Sequence, residues 1–222
     1  MTLDGGPVTR PTANGRARWT LGRKAKETRQ RLLSVTRELL ESVSPFQLSV
    51  ASIAKAAKTA PATFYVYFED VPDLLYALSE EAGEAMARVA ESHRDCFSDP
   101  ERLVEDAHRF IEGFTEVWDK HSHVMLYLGL ESDRGNARFL NLRTRSAVPI
   151  MNRLAAAVRR AKPGLSAAEA YADAVILYAS LQRLAATKHQ YPADRPGPTI
   201  EELREALARI LTAYLTPRAS GA

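Results

Sequence analysis

Residues 49–68 read SVASIAKAAKTAPATFYVYF and contain two short helical patterns separated by a break. Ser49 is a residue type that caps helix N-termini, and residues 50–57 carry apolar side chains at spacings of three and four. Pro61 is favoured in the first turn of a helix, so a second helix is predicted from there to about Phe68. The stretch therefore predicts two helices joined by a tight turn.

The two short helices have complementary faces. Phe64 and Phe68 are four residues apart on one helix face, where we expect them to pack against Ile53, Ala54 and Ala57. The outward face of the second helix then presents Thr63, Tyr65 and Tyr67. Tyrosine hydroxyls on an exposed helix need hydrogen-bond partners, and phosphate oxygens are suitable acceptors. The alternative is that these aromatic residues only form the edge of a core.

This segment resembles the helix-turn-helix of the TetR family of transcriptional regulators, whose usual pattern is approximately I-A-x-A-A-G-V-S-P-A-T-F-Y-x-Y-F. The matching positions are Ile53-Ala54, Ala56-Ala57, Pro61-Ala62-Thr63-Phe64-Tyr65 and Tyr67-Phe68. The resemblance implies a DNA-binding domain of three helices whose last helix enters the major groove. The residues of the motif predicted to bind DNA are Ser49, Pro61, Ala62, Thr63, Tyr65 and Tyr67, and Lys58 is added to them as a source of positive charge.

The chain departs from the family pattern within and just after the motif. Lys58 stands where glycine is usual, so a left-handed backbone conformation is expected there at some cost. Val71 stands where the family typically has a lysine that reaches a phosphate, so position 71 is left out of the predicted site. Lys58 or the basic arm at residues 1–22 would supply the missing charge.

Positive charge is concentrated at the N-terminal end. Residues 1–70 contain 11 Lys or Arg against 6 Asp or Glu, whereas residues 71–222 contain 19 against 21. The glycine- and proline-containing residues 1–22 are predicted to form a flexible basic arm, in which Arg16 and Arg18 are suited to a narrow minor groove of DNA. A solvated tail that attracts DNA only diffusely is the alternative.

Helical periodicity continues through the rest of the chain, and no segment alternates with a period of two. We therefore predict an all-α protein of about nine helices. The resemblance implies a helix-turn-helix domain at residues 23–70 and a C-terminal helical domain at residues 71–222. Residues 136–162 read as one helix with Pro149 in its interior, where proline is expected to kink or split it.

The resemblance implies that residues 71–222 bind a small-molecule effector and form a homodimer through the last two long helices. Apolar strips on residues 166–189 and 199–214 fit that pairing, although both could instead be buried within one subunit. A ligand pocket is predicted from aromatic and neighbouring residues: Phe110, Phe114, Trp118, His121, Met125, Phe139 and Tyr178. Such a lining suggests a hydrophobic, aromatic-tolerant ligand.

Other functional classes have little support. The hydrophobic fraction of 45% and charged fraction of 26% are ordinary for a globular protein, and no membrane span is predicted. The N-terminus lacks the apolar core of a signal peptide, so a cytoplasmic location is expected. Cys96 is the only cysteine, and His121 and His123 would lie on different helix faces, so neither a metal site nor a cofactor is expected. No phosphate loop or nucleophile motif indicates an enzyme.

The sequence therefore predicts a ligand-responsive transcriptional regulator that binds a pseudo-palindromic double-stranded DNA operator as a homodimer. We expect a repressor, because repression is the commoner role in such families. One alternative is a helical DNA-binding protein without small-molecule control. Another is a helical enzyme or scaffold that uses a helix-turn-helix for protein contacts.

Overall fold

The computed structural model describes residues 22–190 and 197–217, and within these ranges the chain forms nine α-helices and no strand. The helices are α1 (Arg23–Leu40), α2 (Val50–Ala56), α3 (Pro61–Tyr67), α4 (Val71–Ser92), α5 (Leu103–Lys120), α6 (Ser122–Asp133), α7 (Ala137–Ala161), α8 (Ala167–Gln190) and α9 (Ile200–Leu215). Short 3-10 helices at Pro45–Gln47 and Pro100–Arg102 precede α2 and α5. The predicted all-α class is confirmed. The predicted arm, with Arg16 and Arg18, lies outside the described residues apart from Gly22.

Helices α1, α2 and α3 form the N-terminal part of the fold. The buried residues of α1 are Leu32, Leu33, Thr36 and Leu40, whose spacing of three and four places them on one face of the helix. They belong to the same hydrophobic core as Ile53 of α2 and Phe64 of α3, apart from the polar Thr36. The three helices therefore bury a shared apolar interior.

Helix α4 connects this N-terminal part to the rest of the molecule. Asp70 caps it by accepting a hydrogen bond from the backbone N–H of Asp73 at 2.7 Å. Arg37 of α1 forms an ion pair with Glu81 of α4, which ties the two helices together. At 1.5 Å per residue, the 22 residues of α4 span about 33 Å, and the helix packs against α5, α6 and α7.

The remaining helices surround α4 and one another. Helix α7 packs against α4, α6 and α8, and α9 packs against α5 and α8. Thr199 and Glu202 form a reciprocal capping box at the start of α9, which satisfies backbone N–H groups that the helix leaves unpaired. None of the helices within the described ranges is long and apolar enough to cross a membrane.

Pro149 was expected to kink or split α7, and the structure excludes the split. The helix is continuous from Ala137 to Ala161 with Pro149 inside it. Proline removes one backbone hydrogen bond, but its neighbours Ala147, Ile150 and Met151 are all buried against adjacent helices. Packing on both sides of the proline therefore holds the helix together.

Candidate DNA interface and effector cavity

Ser49 fixes the start of α2. Its hydroxyl oxygen accepts a hydrogen bond from the backbone N–H of Ser52, and the Ser52 hydroxyl oxygen accepts one from the backbone N–H of Ser49, each at 3.1 Å. This capping box uses the Ser49 side chain within the protein, although the residue is exposed. In the described conformation, its first role is therefore to orient α2.

Lys58 forms the turn between α2 and α3. Its φ of +53° is the left-handed backbone conformation that was predicted for this position, where the family pattern has glycine. The backbone N–H of Lys58 bonds to the carbonyl of Lys55 at 3.1 Å, and that of Thr59 bonds to the carbonyl of Ala54 at 2.9 Å. This pair of hydrogen bonds is a Schellman motif, which ends α2 and redirects the chain into α3. The Lys58 side chain is exposed.

Helix α3 has one buried face and one exposed face. Phe64 and Phe68 are 0% and 3% exposed, and they lie in the same core as Ile53 and Ala57. Pro61 and Ala62 are exposed, Tyr65 is 60% exposed, and Thr63 and Tyr67 are half-buried. Neither tyrosine hydroxyl has a hydrogen-bond partner among the described residues. The predicted DNA-binding residues of α3 therefore lie together on or beside one open helix surface.

Val66 belongs to this exposed surface, although the sequence interpretation did not single it out. It is 73% exposed, the highest value among the large hydrophobic side chains within the described ranges. Helix geometry predicts this exposure. An α-helix turns about 100° per residue, so Val66 lies about 200° around the helix from the buried Phe64 and is directed away from the core. The residue was overlooked because valine is not itself a hydrogen-bonding residue.

Positive charge is concentrated in residues 22–68, which form α1, α2 and α3. Residues 22–68 contain eight Lys or Arg against three Glu. Arg29 of α1 lies with its guanidinium carbon 5.2 Å from the Phe68 ring at the end of α3. Lys55 and Lys58, near the end of α2, are both exposed and precede α3 directly. A polyanion that approached α3 would therefore meet positive charge from α1 and α2.

A cavity of about 510 Å³ lies among helices α4 to α8. Three of the predicted ligand-binding residues line it, namely Trp118, Met125 and Tyr178. Its further lining includes Met86, Leu128, Gly129, Asp133, Arg143, Ser146, Ala179, Gln182, Arg183 and Ala186, none of which was predicted. The volume falls within the range of about 300–1,000 Å³ that small-molecule sites occupy.

The other predicted ligand-binding residues lie elsewhere. Phe114 is behind the lining, with its ring 6.3 Å from Trp118 and 6.0 Å from Tyr178. Phe110 packs against Phe97 at 5.4 Å, in another part of the core. Phe139 packs between Tyr76 and Tyr127, at 5.3 and 5.5 Å. His121 lines a separate cavity of about 700 Å³ among charged residues of α1, α4 and α5.

Two polar groups of the 510 Å³ cavity lack partners within the described part of the chain. The indole Nε1 of Trp118 is buried and makes no hydrogen bond there. The hydroxyl of Tyr178, a residue only 7% exposed, makes none either. Burial raises the pKa of Tyr178 against the lowering effect of nearby Arg143, so the phenol remains neutral. Arg143 donates to the Asp133 carboxylate at 2.6 Å.

Helices α8 and α9 each expose apolar side chains. On α8, Tyr171, Val175 and Ile176 are 36%, 39% and 67% exposed, and on α9 Ile210 is 56% exposed. Tyr178 and Leu181, which the sequence grouped into the same apolar strip as Tyr171 and Val175, are buried within the protomer. The strip on α8 therefore divides into an internal face and an external face.

Comparison with protein families matches residues 102–220, more than half of the chain, to the C-terminal domain of tetracyclin repressor-like proteins. Comparison with functionally curated proteins finds no significant match.

Solved structures of transcriptional regulators share the fold. A regulator from Aquifex aeolicus is 20% identical, with a TM-score of 0.56 over 84% of this chain and 98% of that one. The TetR family regulator PfmR from Thermus thermophilus is 18% identical, with a TM-score of 0.57 over 86% and 100%. The fatty acid degradation regulator FadR from Bacillus halodurans is 16% identical, with a TM-score of 0.56 over 92% and 100%. With the C-terminal family match and this fold, the chain belongs to the TetR family of transcriptional regulators.

Proposed function

We propose that this protein is a ligand-responsive repressor that binds a pseudo-palindromic operator as a homodimer and releases it when a small molecule occupies the 510 Å³ cavity. The observation that carries the proposal is the course of α4. This helix begins at Val71, four residues after α3 ends, and its Met86 lines the cavity. The cavity is thus about 22 Å along one helix from the recognition helix.

Helix α4 gives the effector a mechanical route to the DNA. Two recognition helices must be about 34–36 Å apart to enter successive major grooves on one face of B-DNA. A ligand that fits the cavity better when α4 is displaced favours a different spacing through its differential affinity for the two states. Operator release then follows from binding energy at the cavity alone.

The homodimer is supported by the external faces of α8 and α9. A single seven-residue recognition helix offers few base contacts, and a two-fold dimer doubles them. The exposed Ile176 and Ile210 supply the kind of apolar surface that a subunit interface buries.

The DNA-binding part is tested with two matched variants of the full-length chain. Val66→Glu places a carboxylate on the exposed face of α3, whereas Val104→Glu places one on α5 at a residue that is 58% exposed. In a mobility-shift assay with DNA from upstream of the protein's own gene and with a randomised duplex library, we expect the wild type and Val104→Glu to retard DNA and Val66→Glu not to. Equal retardation by both variants would contradict DNA binding through α3.

The effector part is tested by the fluorescence of Trp118. The chain has two tryptophans, so a Trp19→Phe variant leaves Trp118 as the single reporter inside the cavity. We expect compounds that change this fluorescence to weaken operator binding. Ala179→Phe should reduce both effects, because Ala179 lines the cavity and is exposed, while Ala156→Phe on the exposed surface of α7 should not. If none of the compounds that change the Trp118 fluorescence alters operator binding, the protein is instead a helical DNA-binding protein without small-molecule control.

A further inference from the structure

The recognition helix carries none of the side chains that usually read bases by paired hydrogen bonds. Helix α3 has the sequence PATFYVY, which contains no charged residue and no amide. Its side-chain hydrogen-bonding groups are the hydroxyls of Thr63, Tyr65 and Tyr67. Arginine and lysine pair with guanine, asparagine and glutamine with adenine, and carboxylates with cytosine. All of these pairings are therefore unavailable to α3.

An apolar ridge takes their place on the exposed surface of α3. Ala62 and Val66 are four residues apart, and both are exposed opposite the buried Phe64 and Phe68. Residues at this spacing have Cβ atoms about 5–6 Å apart, which corresponds to about two base steps of 3.4 Å. The branched Val66 side chain, 73% exposed, is the most prominent apolar group of the ridge.

The major groove offers one apolar group on its base edges, which is the 5-methyl group of thymine. Arg29 lies over the ring of Phe68 at the end of α3, and the exposed Lys55 and Lys58 directly precede α3. Such cations typically contact phosphates, and phosphate contacts position a protein without reading sequence. Sequence readout by α3 then depends on its hydroxyls and its apolar ridge.

We propose that Val66 reads the 5-methyl group of a thymine in each operator half-site, and that this apolar contact is a principal source of the specificity of α3. The inference rests on the proposed DNA-binding function and adds the chemistry by which the bases are recognised. Burial of one methyl group changes affinity about fourfold, so two half-sites together give about 15-fold.

The experiment removes the methyl group from either partner. An operator is selected from a randomised duplex library with the full-length protein, and each thymine is then replaced singly by deoxyuridine, which lacks only the 5-methyl group. Binding is measured for the wild type, for Val66→Ala and for the matched control Val104→Ala. Because both valines are exposed on helices and alanine is a good helix former, neither substitution should lower the thermal stability.

We expect one thymine in each half-site at which deoxyuridine weakens wild-type and Val104→Ala binding about fourfold while leaving Val66→Ala binding unchanged. Two results would overturn the inference while leaving DNA binding intact. In one, deoxyuridine has the same effect on the wild type and on Val66→Ala at every position; in the other, deoxyuridine has no effect at any thymine. Failure to select any duplex would overturn the proposed function and this inference together.

Discussion

The ring of Phe46 packs against the ring of Tyr127 with 5.5 Å between centroids, which joins the segment between α1 and α2 to helix α6. Tyr127 in turn packs against Phe139 of α7 at 5.5 Å. Two neighbours of Tyr127 on α6, Met125 and Leu128, line the 510 Å³ cavity. Helix α6 therefore contacts the helix-turn-helix region on one side and the cavity on another, and provides a second connection beside α4.

We expect Phe46→Ala to weaken the effect of effector on operator binding while leaving effector-free binding nearly unchanged. An aromatic pair contributes about 0.5–1.5 kcal/mol. The ratio of operator affinity without effector to that with effector should therefore be about 2- to 10-fold smaller in Phe46→Ala than in the wild type. The measurement is a titration of operator binding with and without a compound found by Trp118 fluorescence. Phe46→Tyr keeps the ring and should behave like the wild type, and an unchanged response in Phe46→Ala would restrict the coupling to α4.

The hydroxyls of Tyr65 and Tyr67 should contribute to operator affinity. Both lack partners in the described part of the chain, and each neutral hydrogen bond to a phosphate contributes about 0.5–1.5 kcal/mol. Because a dimer presents each residue twice, the Tyr65→Phe, Tyr67→Phe double variant loses four such hydrogen bonds and should bind about 30-fold or more weakly. Fluorescence anisotropy with labelled operator measures the loss of affinity. If the double variant has the same dissociation constant as the wild type, neither hydroxyl contacts the DNA.

Dimerisation should depend on the exposed faces of α8 and α9. Ile176→Glu and Ile210→Glu each place two uncompensated charges in a two-fold interface, so we expect a folded monomer with much weaker operator binding. Leu140→Glu on α7, where the residue is 40% exposed, is the control and should stay dimeric. Sedimentation that shows the same dimer strength for all three variants would place the interface elsewhere. Substitution of the buried Leu181 is unsuitable, because it would disturb the protomer core.

Two glycines should respond in opposite directions to replacement by alanine. A Cβ atom on Gly83 of α4 would lie 2.3 Å from the Ser146 hydroxyl oxygen of α7, whereas one on Gly129 of α6 would have nothing within 4 Å. We expect Gly129→Ala to raise the free energy of unfolding by about 0.5–1 kcal/mol through helix propensity. Overpacking costs about 1–3 kcal/mol, so Gly83→Ala should lower it by about 1 kcal/mol net. Urea unfolding measures both changes, and a stabilised Gly83→Ala would show that α4 and α7 separate easily.

Two histidines should make opposite contributions to the pH dependence of stability. Burial lowers the pKa of His121 from its ordinary value of 6.5, with nearby Lys120 and Arg37 adding to the effect. The unfolded chain then binds the proton more readily, so the contribution of His121 is complete above about pH 6.5 and is lost as the pH falls toward its folded pKa.

His108 has the reverse dependence. Its Nδ1 bonds to the Val104 carbonyl at 2.8 Å and its Nε2 lies 3.1 Å from the Glu205 carboxylate, and these contacts raise its pKa above 6.5. Its contribution is complete below about pH 6.5 and is lost as the pH rises through the folded pKa. The free energy of unfolding should be measured between about pH 5 and 8. Its fall at acidic pH should be smaller in His121→Gln, and its fall at alkaline pH should be smaller in His108→Gln. A pH profile that neither variant changes would contradict both assignments.

Local sequence determined the helices, the class of the fold and the two faces of α3. Helix periodicity and caps depend on residues within about four positions of one another, which is why the α2–turn–α3 unit, with Lys58 at positive φ, could be derived from residues 49–68. The exposure of Val66 followed from the same geometry, once Phe64 and Phe68 were assigned to the core.

Tertiary packing decided which apolar residues meet which neighbours. Phe139 and Trp118 both lie on apolar helix faces, but Phe139 joins an aromatic cluster with Tyr127 while Trp118 lines the cavity. Periodicity identifies the buried side of a helix and contains no information about the partner helix it faces. For the same reason the division of α8 into an internal face at Leu181 and an external face at Ile176, and the continuity of α7 through Pro149, depended on contacts between residues distant in the chain.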